Sequence, residues 1–191
     1  MKILAVSDAW SPPLWENKEG CGVKDADVIV SCGDLSESYL DFLHKELGKP
    51  ILYVRGNHDK DVKKVASGIH LDSKIVSFGG VRFLGFDSLS PDGKLLSDDE
   101  VTRRVEIMKR IIDRDGGFDV LVTHHPMLGL GDGDNQLHKG YSAYKSIVCE
   151  YKPRLMLYGH IHLDFYKDKP RCIQYGATRL VNAYMHTIIE L

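Results

Sequence analysis

The sequence predicts an α/β fold with an additional antiparallel, α+β-like part, on the basis of two observations. In the first half of the chain, short apolar runs alternate with amphipathic segments, which is typical of strands and helices packed in layers. The pair Gly79-Gly80 between two apolar runs, together with a strand-rich C-terminal segment, indicates antiparallel pairing. In sheets of this kind, ligands usually bind in the loops that follow the strands.

Seven short segments are predicted to be buried strands. Each is rich in β-branched or aromatic residues, and each is bounded by Gly, Pro or Asp. They are Lys2–Val6, Asp27–Ser31, Ile51–Val54, Ile75–Phe78, Val81–Phe86, Asp119–Thr123 and Leu155–Tyr158. The C-terminal tail, residues 167–191, has no helical period and is expected to form one or two antiparallel strands.

Three amphipathic helices are also predicted. Ser97 and Glu100 are spaced as a capping box, in which each side chain accepts a backbone N–H of the other, and Gly116 ends the helix behind them. A second helix begins at Ser142 and ends before Pro153. The third carries an apolar stripe formed by Leu40, Leu43 and Leu47.

Composition and charge exclude several classes of protein. The chain has 191 residues, 43 % hydrophobic and 27 % charged, so residues 1–191 are expected to form one soluble globular domain. A net charge of −2 argues against long nucleic acid or a membrane as a partner. The four cysteines lack the spacing of a metal or redox motif, and no segment resembles a signal peptide. We therefore expect small buried thiols and a cytoplasmic monomer or homodimer.

Polar residues follow five of the predicted strands, where each strand ends. The sequence blocks are Asp8, then Gly33-Asp34, then Gly56-Asn57-His58-Asp59, then Thr123-His124-His125-Pro126, and finally Gly159-His160-Ile161-His162. Strand ends that meet at one edge of a sheet would bring these side chains together. Carboxylate, amide and imidazole ligands form a mixed oxygen and nitrogen set, which suits Mn²⁺, Fe or Zn²⁺.

These blocks resemble those of the calcineurin-like metallophosphoesterases. The pattern of that family is Asp-x-His, Gly-Asp, Gly-Asn-His-Asp/Glu, a further His, and Gly-His-x-His, and four of its five blocks occur here in order between residues 8 and 162. The resemblance implies a four-layer sandwich of two mixed β-sheets flanked by helices. It also implies two divalent metal ions, with Mn²⁺ the expected ion and Fe, Zn²⁺ and Ni²⁺ as alternatives.

The same resemblance assigns the ligands. Asp34 would bridge the two ions, and Asp8 and His162 would hold the first of them. The second ion would be held by Asn57, His124 and His160. His124 matches the family ligand because it stands two residues before Pro126, whereas for its neighbour His125 both substrate contact and simple packing stay open.

The resemblance further implies a catalytic arrangement. Two cations would neutralise the phosphate and hold an activated water, as hydroxide, for attack on phosphorus. His58 matches the general acid of the family, and either Glu37 or Asp59 would orient its imidazole. Asp59 has an alternative role as a cap of the following helix. Arg55 would either contact substrate phosphate or lie on the surface.

The first block departs from the family pattern, because Trp10 stands where the family has a histidine. An indole nitrogen has no lone pair to donate, so the first metal site is expected to be weak or empty unless water, Glu16 or Asn17 fills the place. The aromatic segment 10–24 is expected to lie over the site. Its tryptophans would stack on a nucleobase or belong to the core or a lid.

Two functional hypotheses follow. The first is a metal-dependent phosphoesterase that hydrolyses a small or nucleotide-like phosphate monoester or diester, with His58 as the general acid. The alternative is a catalytically degenerate family member that acts as a metal-bound binding scaffold. Retention of His58 and of the ligands Asn57 and His124 favours the enzyme, whereas Trp10 favours the scaffold.

Overall fold

The computed structural model describes residues 1–16, 22–61 and 65–191. The described helices are α1 (Pro12–Glu16), α2 (Glu37–Leu47), α3 (Asp98–Asp115) and α4 (Ser142–Tyr151). The described strands are β1 (Lys2–Ser7), β2 (Val28–Ser31), β3 (Ile51–Tyr53), β4 (Gly68–His70), β5 (Lys74–Phe78), β6 (Val81–Phe86), β7 (Val120–Thr123), β8 (Leu155–Tyr158), β9 (Cys172–Tyr175), β10 (Thr178–Asn182) and β11 (Met185–Glu190). No helix among the described residues is long and apolar enough to cross a membrane.

The strands form two mixed sheets. The first has the order β11-β1-β2-β3-β4, in which β1 to β4 are parallel and β11 is antiparallel to β1. The second has the order β5-β6-β7-β8-β10-β9, in which the two edge strands are antiparallel to their neighbours. The predicted α/β fold of two mixed sheets with flanking helices is confirmed.

Three separate apolar cores show how the layers stack. Side chains alternate along β1, so that Ile3 and Ala5 lie in the core between the two sheets, while Leu4 and Val6 pack with α2. On the far side of the second sheet, a third core joins the strands to α3 and α4. The order is therefore helices, sheet, sheet, helices.

Local sequence signals account for several element ends. Ser97 accepts the backbone N–H of Glu100 at 3.3 Å, and Glu100 Oε2 accepts the N–H of Ser97 at 2.8 Å, which confirms the capping box. Gly79 and Gly80 both have positive φ and join the antiparallel strands β5 and β6, as the Gly-Gly pair predicted.

The C-terminal tail differs from its prediction. It forms three strands, of which only β9 and β10 make a local antiparallel hairpin. Strand β10 also runs parallel to β8, and β11 crosses to the other sheet, where Glu190 pairs with Lys2. These partners are distant in the sequence, so no local pattern could identify them. The helix α1 and the three-residue edge strand β4 were likewise not predicted.

The cysteine prediction is wrong for two of the three described thiols. Cys32 is buried after β2, but Cys149 and Cys172 are exposed. Cys149 lies on α4 and Cys172 on an edge strand, and both are therefore placed on the outside of the sandwich. Cys21 lies outside the described residues.

Candidate functional site

The loops that follow the parallel strands bring the predicted polar residues to one edge of the sandwich. Asp8 follows β1, Asp34 follows β2 and His160 follows β8, and all three have positive φ, at 67°, 58° and 67°. Left-handed backbone is uncommon for non-glycine residues and clusters at functional sites. The Asp8 carboxylate accepts the backbone N–H of His160 at 3.0 Å, which ties the two sheets together.

Three side chains form the centre of this edge. One ligand atom from each of Asp8, Asp34 and His124 lies within 4.8 Å of the others, so the group could hold a metal ion. The side chains of Asp8 and His124 are nearly inaccessible, at 1 % and 0 % exposure. His124 Nε2 lies 3.2 Å from Asp34 Oδ2 and 2.9 Å from Asn57 Oδ1.

The hydrogen bonds of His124 show why this centre needs a positive charge. Its Nδ1 donates to the Cys32 carbonyl at 2.8 Å, so in the neutral ring Nε2 carries a lone pair facing two oxygen acceptors. Burial disfavours the imidazolium, but the charge of Asp34 and the hydrogen bond to it outweigh this and raise the pKa of His124 to about 9. In the absence of metal, a proton on Nε2 supplies the positive charge between these oxygens. A divalent metal ion could supply the same charge, and the oxygen and nitrogen donors fit such an ion.

The effect on Asp34 is complementary. Burial opposes its charged form, but the positive charge of His124 and hydrogen bonds to the carboxylate lower its pKa from the ordinary value. One of these bonds comes from the backbone N–H of His58, which donates to Asp34 Oδ1 at 2.8 Å. Asp34 is therefore ionised and oriented toward the site at neutral pH.

The two histidines after β8 differ in their surroundings. His160 Nε2 donates to the Leu137 carbonyl at 2.8 Å, which leaves Nδ1 with a lone pair, as expected of a ligand held by an outer carbonyl. Burial, followed by the charge of His124, lowers the pKa of His160 to about 4. His162 is more exposed, and its Nε2 lies 3.5 Å from Asp8 Oδ1.

The predicted catalytic group borders the same centre. A cavity of about 270 Å³ is lined by Asp8, Asp34, His58, His138, His160 and His162. The His58 ring is exposed at this cavity, while its backbone is fixed to Asp34. Glu37 is the first residue of α2 and is half-buried.

Asp59 has a structural contact instead of a contact with the His58 ring. Its Oδ2 accepts the backbone N–H of Asp34 at 2.7 Å and that of Gly56 at 2.8 Å. Asp59 therefore joins the loops after β2 and β3. Burial, the leading cause, raises its pKa.

Glycines allow the loops to approach this closely. A Cβ on Gly56 would overlap Asp34 Oδ1 and stand 2.8 Å from His124 Nδ1, and one on Gly159 would stand 2.7 Å from Asp8 Oδ2. A Cβ on Gly33, which has a φ of 94°, would overlap the backbone of Gly56 in the same way. The glycines of these blocks thus have a steric reason to precede the polar residues.

Replacing Gly56 with alanine is expected to displace Asp34 and His124. We expect a stability loss of about 1–3 kcal/mol, because the added methyl overpacks the loop contact. Metal affinity should also fall at least tenfold, since the carboxylate must move away. Thermal unfolding and metal titration measure the two effects. Gly176→Ala is the matched control, because its φ of 57° makes alanine strained there while the added methyl would contact nothing. Equal metal affinity in both variants would contradict the prediction.

Trp10 lies outside the cavity. Its ring stacks on Tyr39 of α2 at 5.2 Å and an interplanar angle of 10°, and is 53 % exposed. The segment from Trp10 to Glu16 therefore lies against α2, and Trp10 is not among the residues that line the cavity. Of the two suggested replacement ligands, Asn17 lies outside the described residues, as does the side chain of Glu16.

Arg55 differs from both alternatives of the sequence analysis, whereas His125 is packed, which is one of the two alternatives left open for it. Arg55 is neither at the surface nor directed at the cavity, because its Nε donates to the fully buried Asp87 at 2.6 Å. His70 Nε2 lies 2.9 Å from the same carboxylate. His125 is buried, with Nδ1 2.7 Å from Ser88 Oγ and its ring 4.0 Å from that of His160.

One cavity residue was missed by the sequence analysis. His138 closes a short 3-10 helix, Gln136–His138, which Asn135 caps, and its ring lies 5.2 Å from that of His160. The only local signals were the Asn cap and the glycines around it. Neither indicates that the loop after β7 folds back over the end of β8.

Comparison with known proteins agrees with this description. The family model of the calcineurin-like phosphoesterases matches residues 1–164. A two-sheet sandwich with carboxylate and histidine side chains at its strand ends defines a candidate metal-dependent hydrolase. The chain belongs to the calcineurin-like phosphoesterase family.

Two solved structures share the fold at low identity, and a third has a lower TM-score. The protein TT1561 of Thermus thermophilus is 14 % identical with a TM-score of 0.64, over 96 % of this chain and 88 % of that chain. GAP50, described as the anchor in the inner membrane complex of Plasmodium, is 14 % identical with a TM-score of 0.50. The match covers 95 % of this chain and 70 % of that chain. Vacuolar Protein Sorting 29 from Cryptosporidium parvum has 12 % identity and a TM-score of 0.48. The match covers 95 % of this chain and 72 % of that chain. Comparison with curated proteins finds no significant match.

Proposed function

We propose that the protein is a metal-dependent phosphoesterase that hydrolyses a small or nucleotide-like phosphate monoester or diester. The observation that carries this proposal is the group formed by Asp8, Asp34 and His124, whose ligand atoms lie within 4.8 Å of one another. The Asn57 amide oxygen adjoins the group at 2.9 Å from His124. Family membership supports the general class of reaction.

The proposed ligands divide between two ions. Asp34 would contribute to both sites, while Asn57, His124 and His160 would complete the second. The first site keeps Asp8 and His162 but lacks the ligand that a histidine at position 10 would supply. Because Trp10 stacks on α2, we expect the first ion, for which Mn²⁺ is the leading candidate, to be held more weakly than the second.

The residues of the chain divide the remaining tasks. Divalent cations, when bound, neutralise the phosphate and activate water for attack. His58 borders the cavity and donates a proton to the leaving oxygen. We assign Glu37 the role of orienting the His58 ring, and Asp59 that of holding the loops after β2 and β3 at their observed distance.

The test is hydrolysis of aryl phosphate monoesters and diesters by chelator-stripped protein titrated with Mn²⁺. We expect no activity without metal and activity that rises in two steps, the second at higher Mn²⁺ concentration. Stoichiometric Mn²⁺ binding without hydrolysis of either ester class or of nucleoside phosphates would overturn the proposal and favour the binding scaffold.

The affinity for Mn²⁺ should rise with pH. His124 has a pKa of about 9, so at lower pH a proton occupies the nitrogen that a metal must use, and binding must release it. Apparent affinity should increase up to about tenfold per pH unit and level off near the pKa. Calorimetry in buffers of different ionisation enthalpy counts the released proton. A pH-independent affinity between about pH 6 and pH 8 would contradict the prediction that metal binding releases a proton from His124.

A further inference from the structure

An aromatic surface that the proposed mechanism does not use lies beside the loops of the site. We call it the aromatic platform, and it consists of Trp10, Trp15, Tyr39 and Phe42. The Trp10 ring lies 5.2 Å from that of Tyr39, and the Trp15 ring 4.4 Å from that of Phe42. One face of each indole is therefore covered by a ring of α2. The indoles also stack on each other, and they are still 53 % and 50 % exposed.

Ring stacking and hydrogen bonds hold the platform together. The two indoles are 5.6 Å apart and within 20° of parallel. Between them in the sequence, the Ser11 backbone N–H donates to the Tyr39 hydroxyl at 3.1 Å, and Ser11 Oγ lies 2.6 Å from His186 Nδ1. A groove of about 300 Å³ runs along this surface, lined by Trp10, Ser11, Pro12 and Trp15. Such an exposed apolar surface is typical of a binding site.

The platform and the candidate metal centre are close neighbours in the sequence. Trp10 follows Asp8 by two residues, and Tyr39 follows Asp34 by five, so both carboxylate loops lead directly into it. Two residues of chain span at most about 7 Å. The cavity beside Asp8 and Asp34 is lined by other residues, however. A ring on the platform would therefore lie beside the cavity and not inside it.

We propose that the aromatic platform binds the base of a nucleoside phosphate whose phosphate group occupies the candidate metal centre. This inference rests on the proposed function and narrows its substrate class. Indole faces stack on any nucleobase, because every base has a planar π surface. A ribose separates the base from phosphorus, so a base can lie outside the cavity that holds its phosphate. An aryl phosphate carries its ring directly on the ester oxygen, which keeps that ring within the cavity.

The substrate preference of the Mn²⁺-loaded protein tests this proposal. We expect Trp15→Ala to lower the ratio of kcat/KM for AMP to kcat/KM for ribose 5-phosphate by roughly 5- to 150-fold, the value of one lost stacking contact. Ile107→Ala, which removes an exposed side chain from α3, should leave the ratio unchanged. A parallel loss with para-nitrophenyl phosphate would assign the platform to aryl esters and overturn the nucleoside proposal.

Tryptophan fluorescence gives a readout that does not need turnover. Trp10 and Trp15 are the only two tryptophans of the chain, so AMP bound on the platform should quench the emission. Trp10→Phe and Trp15→Phe each keep an aromatic ring and leave one indole to report. Ribose 5-phosphate should cause no quenching by itself. Because it competes for the phosphate site, it should raise the AMP concentration that gives half-maximal quenching.

The outcomes separate the two proposals. Hydrolysis of phosphate esters without quenching by AMP would overturn the platform inference and leave the proposed function standing. Quenching by AMP in a protein that hydrolyses no ester would support nucleotide binding at the platform and overturn the proposed activity. Conversion of a dimer to a monomer by Trp15→Ala, seen in sedimentation, would show that a second copy covers the platform and would overturn the inference.

Discussion

His58→Ala is expected to lower turnover of an alkyl phosphate by about 10²–10⁴-fold while leaving bound metal unchanged. The ring borders the cavity, whereas the contact with Asp34 comes from the His58 backbone N–H and survives the substitution. An alkoxide leaving group needs a proton, and supplying it is the role proposed for His58. Para-nitrophenolate leaves without one, so the loss should be much smaller with para-nitrophenyl phosphate. Steady-state kinetics with both esters, together with metal analysis, measure the effect.

His44→Ala is the matched control for this experiment. His44 lies in the last turn of α2, where its Nδ1 is 2.8 Å from the Lys49 carbonyl, and it does not line the cavity. Its replacement should leave the kinetics of both esters unchanged. If His58→Ala slows both esters equally, the ring binds substrate and does not protonate the leaving group.

Asp34→Asn is expected to weaken metal binding by at least 10–100-fold and to abolish most hydrolysis. Asparagine tolerates the φ of 58° at this position and keeps an oxygen to accept the His58 N–H. The substitution therefore removes the charge with little change in shape. Metal titration and kinetics measure the loss.

The same variant tests the electrostatic description of His124. In metal-free protein, the pKa of His124 should fall from about 9, because Asp34 is the main group that raises it against burial. An NMR titration of the ring follows this change. Asp168→Asn, at an exposed position, is the control. Wild-type metal affinity in Asp34→Asn would remove Asp34 from the ligand set.

Much of the fold was predictable because its signals are local. The capping box at Ser97, the Gly79-Gly80 turn and the short β-branched runs depend on neighbours a few residues away, and each appears as predicted. The third strand of the tail was not predictable in this way. Strand β11 pairs with β1 across nearly the whole chain, and only the completed sheet provides its partner.

The candidate site shows the same division. The positions of Asp8, Asp34 and His124 after parallel strands were sufficient to predict that they meet, and their ligand atoms lie within 4.8 Å of one another. The direction of a side chain was not predictable. Arg55 follows a strand as the others do, yet the buried charge of Asp87 draws it away from the cavity.

The sequence by itself determined the order of the polar blocks along the chain and the chemistry of the candidate ligands, because both depend on residue type and local spacing. Only the tertiary structure decided which side chains and backbone groups contact one another. It placed Trp10 on α2, turned Asp59 onto two backbone N–H groups and brought His138 to the cavity. Such contacts depend on packing between distant segments, which a single sequence does not encode in any local pattern.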